Sequence, residues 1–347
     1  MRKQLLRPAP LRPGDTIGIC TPSFPANVVY REKYLHGVAQ LEALGFKVVE
    51  GDLTRSATLQ GYRSGTPRAR AAELMSLFEE RAVRGIITTI GGNNSSSLIP
   101  YLDFEKIRAS PKVFCGYSDI TSLHLALLAY SGLSTFYGPA VMPSFGEWPS
   151  VLSETRESFM SAVGDGAAGE RELIMPRRYS RHLRDAKGDA WKTEPRLWLD
   201  NSGPQIIYPG TVEAPCIVAN LNTLVTAAGT DYFPDLTGRL LWLEEMNAPL
   251  SQEERSLRHL ERLGVFDRIA GLLLSKPEFY TNDRAPFGYP DLVREIVAPR
   301  PNVPLVMELD LGHTVPMLTL AQETRLRVVA RKGEPARLFT LEPMVRC

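Results

Sequence analysis

Cysteine is scarce. Four occur among 347 residues, at positions 20, 115, 216 and 347, and none forms a CxxC pair. Cys20, Cys115 and Cys216 lie in apolar sequence, where a thiol acts as a small core residue, so neither a disulfide framework nor a zinc cluster is expected. The five histidines, His36, His124, His182, His259 and His313, show no HExxH or related ligand spacing, and no metal is expected. An excess of either charge is also missing, since 40 Lys and Arg face 39 Asp and Glu. That balance argues against a basic face for nucleic acid and gives no reason for binding an anionic membrane. No apolar run reaches the roughly 18 residues a bilayer span needs. The opening Met1-Arg2-Lys3-Gln4-Leu5-Leu6-Arg7-Pro8 lacks the apolar stretch of a signal peptide, so a cytoplasmic location is expected. There is no internal repeat, and neither GxxxxGK[ST] nor GxGxxG occurs. A phosphate-binding loop is a poor match and no cofactor is expected.

With 44% hydrophobic and 23% charged residues, the chain can bury a sizeable core and is long enough for two domains. Residues 1–145 alternate strand and helix signals. Apolar strands are predicted at 15–20, 46–50, 85–90, 113–116 and 134–137. Helices are predicted over 30–44, 67–80 and from 118 to about 129. This order implies a parallel sheet covered by helices on both faces, with ligand sites at the carboxyl ends of the strands. Residues 146–204 break the pattern and read as a linker with long loops that carry Trp191 and Trp198. A second domain is predicted over 205–347. It begins with a buried helix at 215–228 and a strand at 238–244 that ends in acid. A capping box, Ser251-Gln252-Glu253-Glu254, then opens a helix, and further strands are expected at 270–274, 303–307 and 324–329.

The chemistry concentrates at strand ends. In Phe114-Cys115-Gly116-Tyr117-Ser118-Asp119-Ile120-Thr121 a strand stops at glycine and a Ser-Asp pair opens a helix. Ser118 and Asp119 read either as helix caps or as a nucleophile elbow, with the serine exposed on a sharp turn and the Asp119 amide ready to bind an oxyanion. The GxSxG form is half met, because Ile120 replaces the second glycine. Gly91-Gly92-Asn93-Asn94 ends the preceding strand. It reads either as a flexible turn or as a second oxyanion donor, with glycine letting the backbone approach a carbonyl. A serine nucleophile needs a base and an acid that orients it. His36, His124 and His259 fall within helical patterns, and His182 lies in the basic stretch 178–184. His313, in Leu311-Gly312-His313-Thr314, is the best placed by its loop context. Glu244 and Glu245 close an apolar strand, and alternation lets only one of them face a site.

Taken together, these segments resemble the LD-carboxypeptidase family of serine peptidases, and within it the microcin C self-immunity branch. The resemblance rests on Leu11-Arg12-Pro13-Gly14-Asp15, Gly91-Gly92-Asn93-Asn94-Ser95, Gly116-Tyr117-Ser118-Asp119-Ile120-Thr121, Asn220-Leu221-Asn222, Gly238 to Glu245 and Gly312-His313-Thr314. It implies an N-terminal Rossmann-like α/β domain, a C-terminal mixed domain rich in β structure, and commonly a homodimer. It further implies a triad of Ser118, Glu244 and His313, with the Gly92 and Asp119 amides as oxyanion hole. Asn93, Trp191, Asn220 and Glu278 are implied as substrate contacts. The substrate in that branch is an aminoacyl or peptidyl nucleotide conjugate, on whose base a loop tryptophan stacks. Loop packing is the other reading of Trp191 and Trp198. Two alternatives stay open at this point: release of a terminal D-alanine from murein tetrapeptide, and a non-catalytic ligand-binding module on the same fold.

Overall fold

The computed structural model describes residues 3–164, 169–181, 184–278 and 281–346. The first half supplies β1 (Thr16–Cys20), β2 (Lys47–Glu50), β3 (Val83–Thr88), β4 (Val113–Gly116) and β5 (Phe136–Tyr137), all paired in parallel. Between them run the helices Arg31–Ala43, Pro67–Glu79 and Thr121–Ala126. Pro67 opens its helix at the first turn, and the Thr66 side chain accepts from the Ala69 amide. The second half adds β6 (Arg171–Glu172), β7 (Arg178–Tyr179), β8 (Leu199–Asp200), β9 (Gln205–Tyr208), β10 (Gly210–Asn220), β11 (Leu240–Glu244), β12 (Gly271–Ser275), β13 (Leu305–Leu309), β14 (Leu320–Ala321), β15 (Thr324–Ala330) and β16 (Arg337–Thr340).

Among the described residues these make a six-stranded sheet in the order β14-β5-β4-β3-β1-β2 and an eight-stranded mixed sheet in the order β6-β16-β15-β10-β11-β12-β13-β9. The result is an α/β unit with a parallel sheet beside a second unit rich in β structure. β7 and β8 form a separate two-stranded ribbon. One apolar core runs between the large sheets, combining Ile17, Phe136 and Tyr137 of the first with Val218, Trp242 and Leu326 of the second. Separate cores cover the other faces. One is built with the helix Pro67–Glu79 and the other with the helices Leu250–Arg262 and Tyr289–Ile296.

Three expectations are corrected. Residues 215–220 are the end of β10, and the helix there is only Leu221–Thr226. The run Ala214 to Ala219 is apolar throughout because β10 is covered on both faces, and such a run cannot be told from a buried helix by periodicity. Pro215 fits because β10 pairs with β11 only from Cys216 onward. Secondly, the helix Leu250–Arg262 has Pro249 at its N-cap and no side-chain cap bond; the Ser251 amide instead donates to Asp283 at 2.9 Å. Thirdly, the segment 146–204 contains a helix, Ser153–Val163, which buries Thr155, Phe159, Ala162 and Val163.

One buried residue ties the two sheets through four hydrogen bonds. Gln322, fully buried, donates through Nε2 to the Val218 carbonyl at 2.8 Å and accepts from the Val218 amide at 3.0 Å. Its own amide donates to the Thr135 carbonyl at 2.8 Å, and its carbonyl accepts from Ser134 Oγ at 2.7 Å. Gln322→Leu leaves both polar groups of Val218 buried and unpaired, at about 1–3 kcal/mol each. A lowered midpoint of thermal unfolding is the expected result.

Candidate active site

Ser118 follows β4 at φ 64°, a conformation that non-glycine residues rarely adopt. A 3-10 turn, Ser118–Ile120, leads into the helix Thr121–Ala126, and a π-helical turn carries the helix on to Ser131. This strained strand-to-helix turn is the geometry of a nucleophile elbow. The Ser118 amide donates to the Tyr137 hydroxyl at 2.9 Å, and that hydroxyl donates to Glu244 Oε1 at 2.5 Å. The other carboxylate oxygen, Glu244 Oε2, lies 2.5 Å from His313 Nδ1. His313 packs edge-on against Tyr117, with ring centroids 4.9 Å apart. Gly312, at φ 98°, is required beside the acid: a Cβ there would fall 2.5 Å from Glu244 Oε2. Ser118 and His313 line one cavity of about 1090 Å³, while Glu244 lies buried behind the imidazole. Of the two adjacent acids, Glu244 is thus the one that meets His313.

Asn220 sits opposite Glu244 in the β10–β11 register, where both strands end. Its Nδ2 donates to Glu244 Oε1 at 3.2 Å and to Glu245 Oε1 at 3.1 Å, and its Oδ1 accepts from the Thr223 amide and hydroxyl. The side chain reaches the cavity wall, yet its polar atoms are engaged in holding the two acids. Glu245 also accepts from the amides of Asn222 and Met246, each at 2.9 Å.

The Gly91–Gly92 turn lies against the elbow, close enough that a Cβ on Gly91 would be 2.9 Å from Ser118 Cβ. At Gly92, φ 151°, a Cβ would collide with Ser23 Oγ at 2.3 Å. Asp119 clamps this turn: Oδ2 accepts from the Asn94 and Ser95 amides, each at 2.9 Å, and from Ser23 Oγ at 2.7 Å. Arg70, buried, holds it from the other side through Asn94 Oδ1, the Pro22 carbonyl and Ser97 Oγ. Among the described residues neither the Gly92 nor the Asp119 amide donates to a protein acceptor, so both remain available to a ligand. Asn93 lies on the cavity wall.

The electrostatics favour a basic imidazole. Burial lowers the proton affinity of His313, but the charge and hydrogen bond of Glu244, with Glu245 and Glu278, leave its pKa above the ordinary histidine value. Glu245 is raised by burial and by Glu244. Glu278 is pushed up to about 7 by burial, against Arg181, His313 and Lys276. His124 is different: fully buried, bonded to Thr135 Oγ1 and the Gly116 carbonyl, it is lowered to about 4 by burial and stays neutral.

Two sequence-predicted contacts are not brought to the wall. Trp191 is 1% exposed and packs against His36 and Trp148, so neither of its faces is open to the cavity. Its hydrophobic burial against these rings holds the loop down. Glu278 is 1% exposed, behind the wall, with Arg181 Nε 4.0 Å away. Trp198 stacks with Arg178 and is likewise off the wall. His182 lies outside the described residues. Sequence reasoning missed Tyr137 and Arg70. The only signal for Tyr137 was its position at the end of the strand beside β4. Among the described residues no group of three or more His, Cys, Asp or Glu could hold a metal ion, and no helix is long and apolar enough to cross a membrane.

Residues 17–138 match the LD-carboxypeptidase N-terminal domain and residues 213–328 the C-terminal domain. A putative carboxypeptidase of Vibrio cholerae is 39% identical over 88% of this chain and 89% of its own length. The chain belongs to the LD-carboxypeptidase family. It is therefore a serine-type carboxypeptidase, a hydrolase. The microcin C7 self-immunity protein MccF of Escherichia coli is 35% identical over 92% of both chains. A probable murein peptide carboxypeptidase of Bacillus subtilis is 28% identical over 77% of this chain and 74% of its own length. The structure of MccF in complex with glutamyl sulfamoyl guanosine superimposes with a TM-score of 0.91 at 32% identity, covering 98% of this chain and all of the other. An MccF-like protein from Bacillus anthracis gives 0.84 at 28% identity, covering 96% of this chain and 99% of its own.

In this LD-carboxypeptidase the Tyr137 hydroxyl couples the elbow backbone to the buried acid. Tyr137→Phe removes one charge-assisted bond, worth about 1.5–3 kcal/mol. Steady-state kinetics should show kcat reduced by about 10- to 100-fold with KM little changed.

Proposed function

We propose that the chain hydrolyses an amide through an acyl-enzyme carried by Ser118. The observation that carries this reading is the Glu244 carboxylate 2.5 Å from His313 Nδ1, with His313 and the strained Ser118 on one cavity. Glu244 fixes the imidazole so that Nε2 is the free base. His313 takes the Ser118 proton as Oγ attacks the scissile carbonyl. The negative charge that develops on the carbonyl oxygen is received by the Gly92 and Asp119 amides. Collapse breaks the C–N bond, and His313 passes its proton to the leaving nitrogen. A water then attacks the ester, again giving its proton to His313. The acid leaves and Ser118 is restored.

For the substrate, we infer an aminoacyl or peptidyl nucleotide conjugate. Support comes from the identity to MccF, which spans nearly the whole of both chains, and from a cavity large enough for such a molecule. With Trp191 packed away, the aromatic side chains on the wall are Phe24, Tyr30 and Tyr117. Murein tetrapeptide is the second reading, favoured by the identity to the Bacillus subtilis relative.

Ser118→Ala should lower turnover by about a thousandfold or more while the protein remains folded. It should also abolish labelling by a fluorophosphonate. Retention of most activity would overturn the acyl-enzyme. A panel of aspartyl sulfamoyl adenosine and murein tetrapeptide separates the two substrates, and cleavage of the tetrapeptide alone would decide for the second reading.

The acid limb of kcat/KM tests the base. His313 must be neutral to accept a proton, so activity falls as pH drops through its raised pKa. Glu245→Gln removes one of the carboxylates that raise it. The limb should therefore move to lower pH in that variant, read from a pH–rate profile.

A further inference from the structure

Two of the titratable wall residues, His313 and Lys33, sit among different charged groups. The groups that act on the His313 imidazole are the carboxylates of Glu244, Glu245 and Glu278. The groups that act on Lys33, another wall residue, are Glu147, Arg184 and Arg196. Lys33 therefore feels a different set of charges from His313.

Lys33 is 7% exposed, on the helix Arg31–Ala43, and reaches the wall of the cavity. Among the described residues its ammonium has neither a carboxylate partner nor a hydrogen-bond acceptor. The ring of Trp191 lies with its centroid 6.0 Å from Nζ. Arg184 and Arg196 share one carboxylate, that of Glu147, which is itself buried. Arg184 Nε is buried without an acceptor. Among the described residues the charged groups that act on Lys33 here are Glu147, Arg184 and Arg196, with Asp185 exposed at the rim. Burying an uncompensated ammonium is costly unless something of opposite charge meets it. The charge of Glu147 meets part of that cost without a direct contact, and Trp191 lies beneath Lys33, held in turn by His36 and Trp148. Burial brings the lysine down to about 8, so most molecules carry the charge at neutral pH.

We propose that Lys33, with Arg184 and Arg196 beside it, forms a subsite for an anionic group of the substrate, a phosphate or a carboxylate. This rests on the hydrolase reading above for the existence of a substrate in the cavity, but not on which bond is cut. Arg184 and Arg196, pinned by Glu147, present a fixed edge, and Lys33 supplies the unpaired charge that an incoming anion neutralises. The subsite gives Trp191 a task different from stacking on a base: it shapes the floor under the ammonium.

The test reads binding by calorimetry. Adenosine monophosphate is compared with adenosine on the wild-type enzyme, which isolates a phosphate. Murein tetrapeptide is compared with its form amidated at the D-glutamate carboxyl on Ser118→Ala, which isolates a carboxylate without turnover. The anionic member of at least one pair should bind tenfold or more tighter. Lys33→Met should erase that preference, and Lys33→Arg should retain it. The proposal is overturned if neither pair shows a preference, if the preference survives Lys33→Met, or if Lys33→Arg loses it as fully as Lys33→Met does. Hydrolysis persisting in Ser118→Ala would instead count against the acyl-enzyme, so the two failures are distinguishable.

Discussion

A single buried carboxylate organises the site. Glu244 has 1% of its side chain exposed, and an ionised group so placed is tolerated only when its oxygens are satisfied. Its partners come from both large sheets: Tyr137 ends β5 of the first, Asn220 ends β10 of the second, and His313 follows β13. The Tyr137 bond is the one of these that crosses between the sheets, and it is lost if they separate. The same interaction that compensates the charge therefore sets where the imidazole stands relative to the elbow, because the Tyr137 hydroxyl also receives the Ser118 amide. Gly312 belongs to this constraint, since any side chain there would occupy the position of the carboxylate.

Charge around the imidazole is crowded as well as concentrated. Glu245 and Glu253 lie near Glu244, and burial with the neighbouring carboxylates pushes Glu253 up to about 8. It consequently holds a proton at neutral pH, within the core covered by the helices Leu250–Arg262 and Tyr289–Ile296. Protonating the outermost acid limits the repulsion on Glu244 and Glu245, whose amide and Asn220 donors stabilise charge directly. The opposite end of the cavity carries the reverse imbalance, with Lys33, Arg184 and Arg196 around Glu147. A substrate lying across the cavity therefore crosses a field that runs from acidic to basic, and a dipolar or singly anionic molecule has one preferred direction in it.

Much of this was legible in the sequence because the chemistry sits at strand ends. The apolar run closing at Gly116 announced a parallel strand and those closing at Glu244 and Met307 announced strands, and polar residues just beyond the carboxyl ends of parallel strands are where such sheets put ligands. The Ser118 turn was ambiguous because a serine before a helix is also a common cap, and its positive φ is a feature that no sequence pattern announces. What stayed hidden depended on partners far away in the chain. Tyr137 is one of two residues in a short strand, and nothing local says that its hydroxyl meets a carboxylate 107 positions later. β10 looked helical because burial on both faces erased its alternation. Trp191 carried an aromatic signature that fits stacking on a ligand and packing on a loop equally well, and its surroundings, Trp148 and His36, come from distant segments.

The division of labour between the sheets has a further consequence. The first contributes the Ser118 turn and the Gly91–Gly92 loop, which Asp119 ties together while Arg70 holds the loop from its other side. The second contributes Glu244 and the loop bearing His313. The core shared by Ile17, Phe136, Val218 and Trp242, together with the Gln322 bridge and the β14–β5 pairing, keeps the two halves in register. Wall residues such as Lys33, Glu147 and Arg184 take no part in that register. Substitutions there can alter which molecule is accepted while the geometry at Ser118 and His313 is preserved. A single scaffold can accordingly serve relatives described as murein peptide carboxypeptidase and as microcin self-immunity protein.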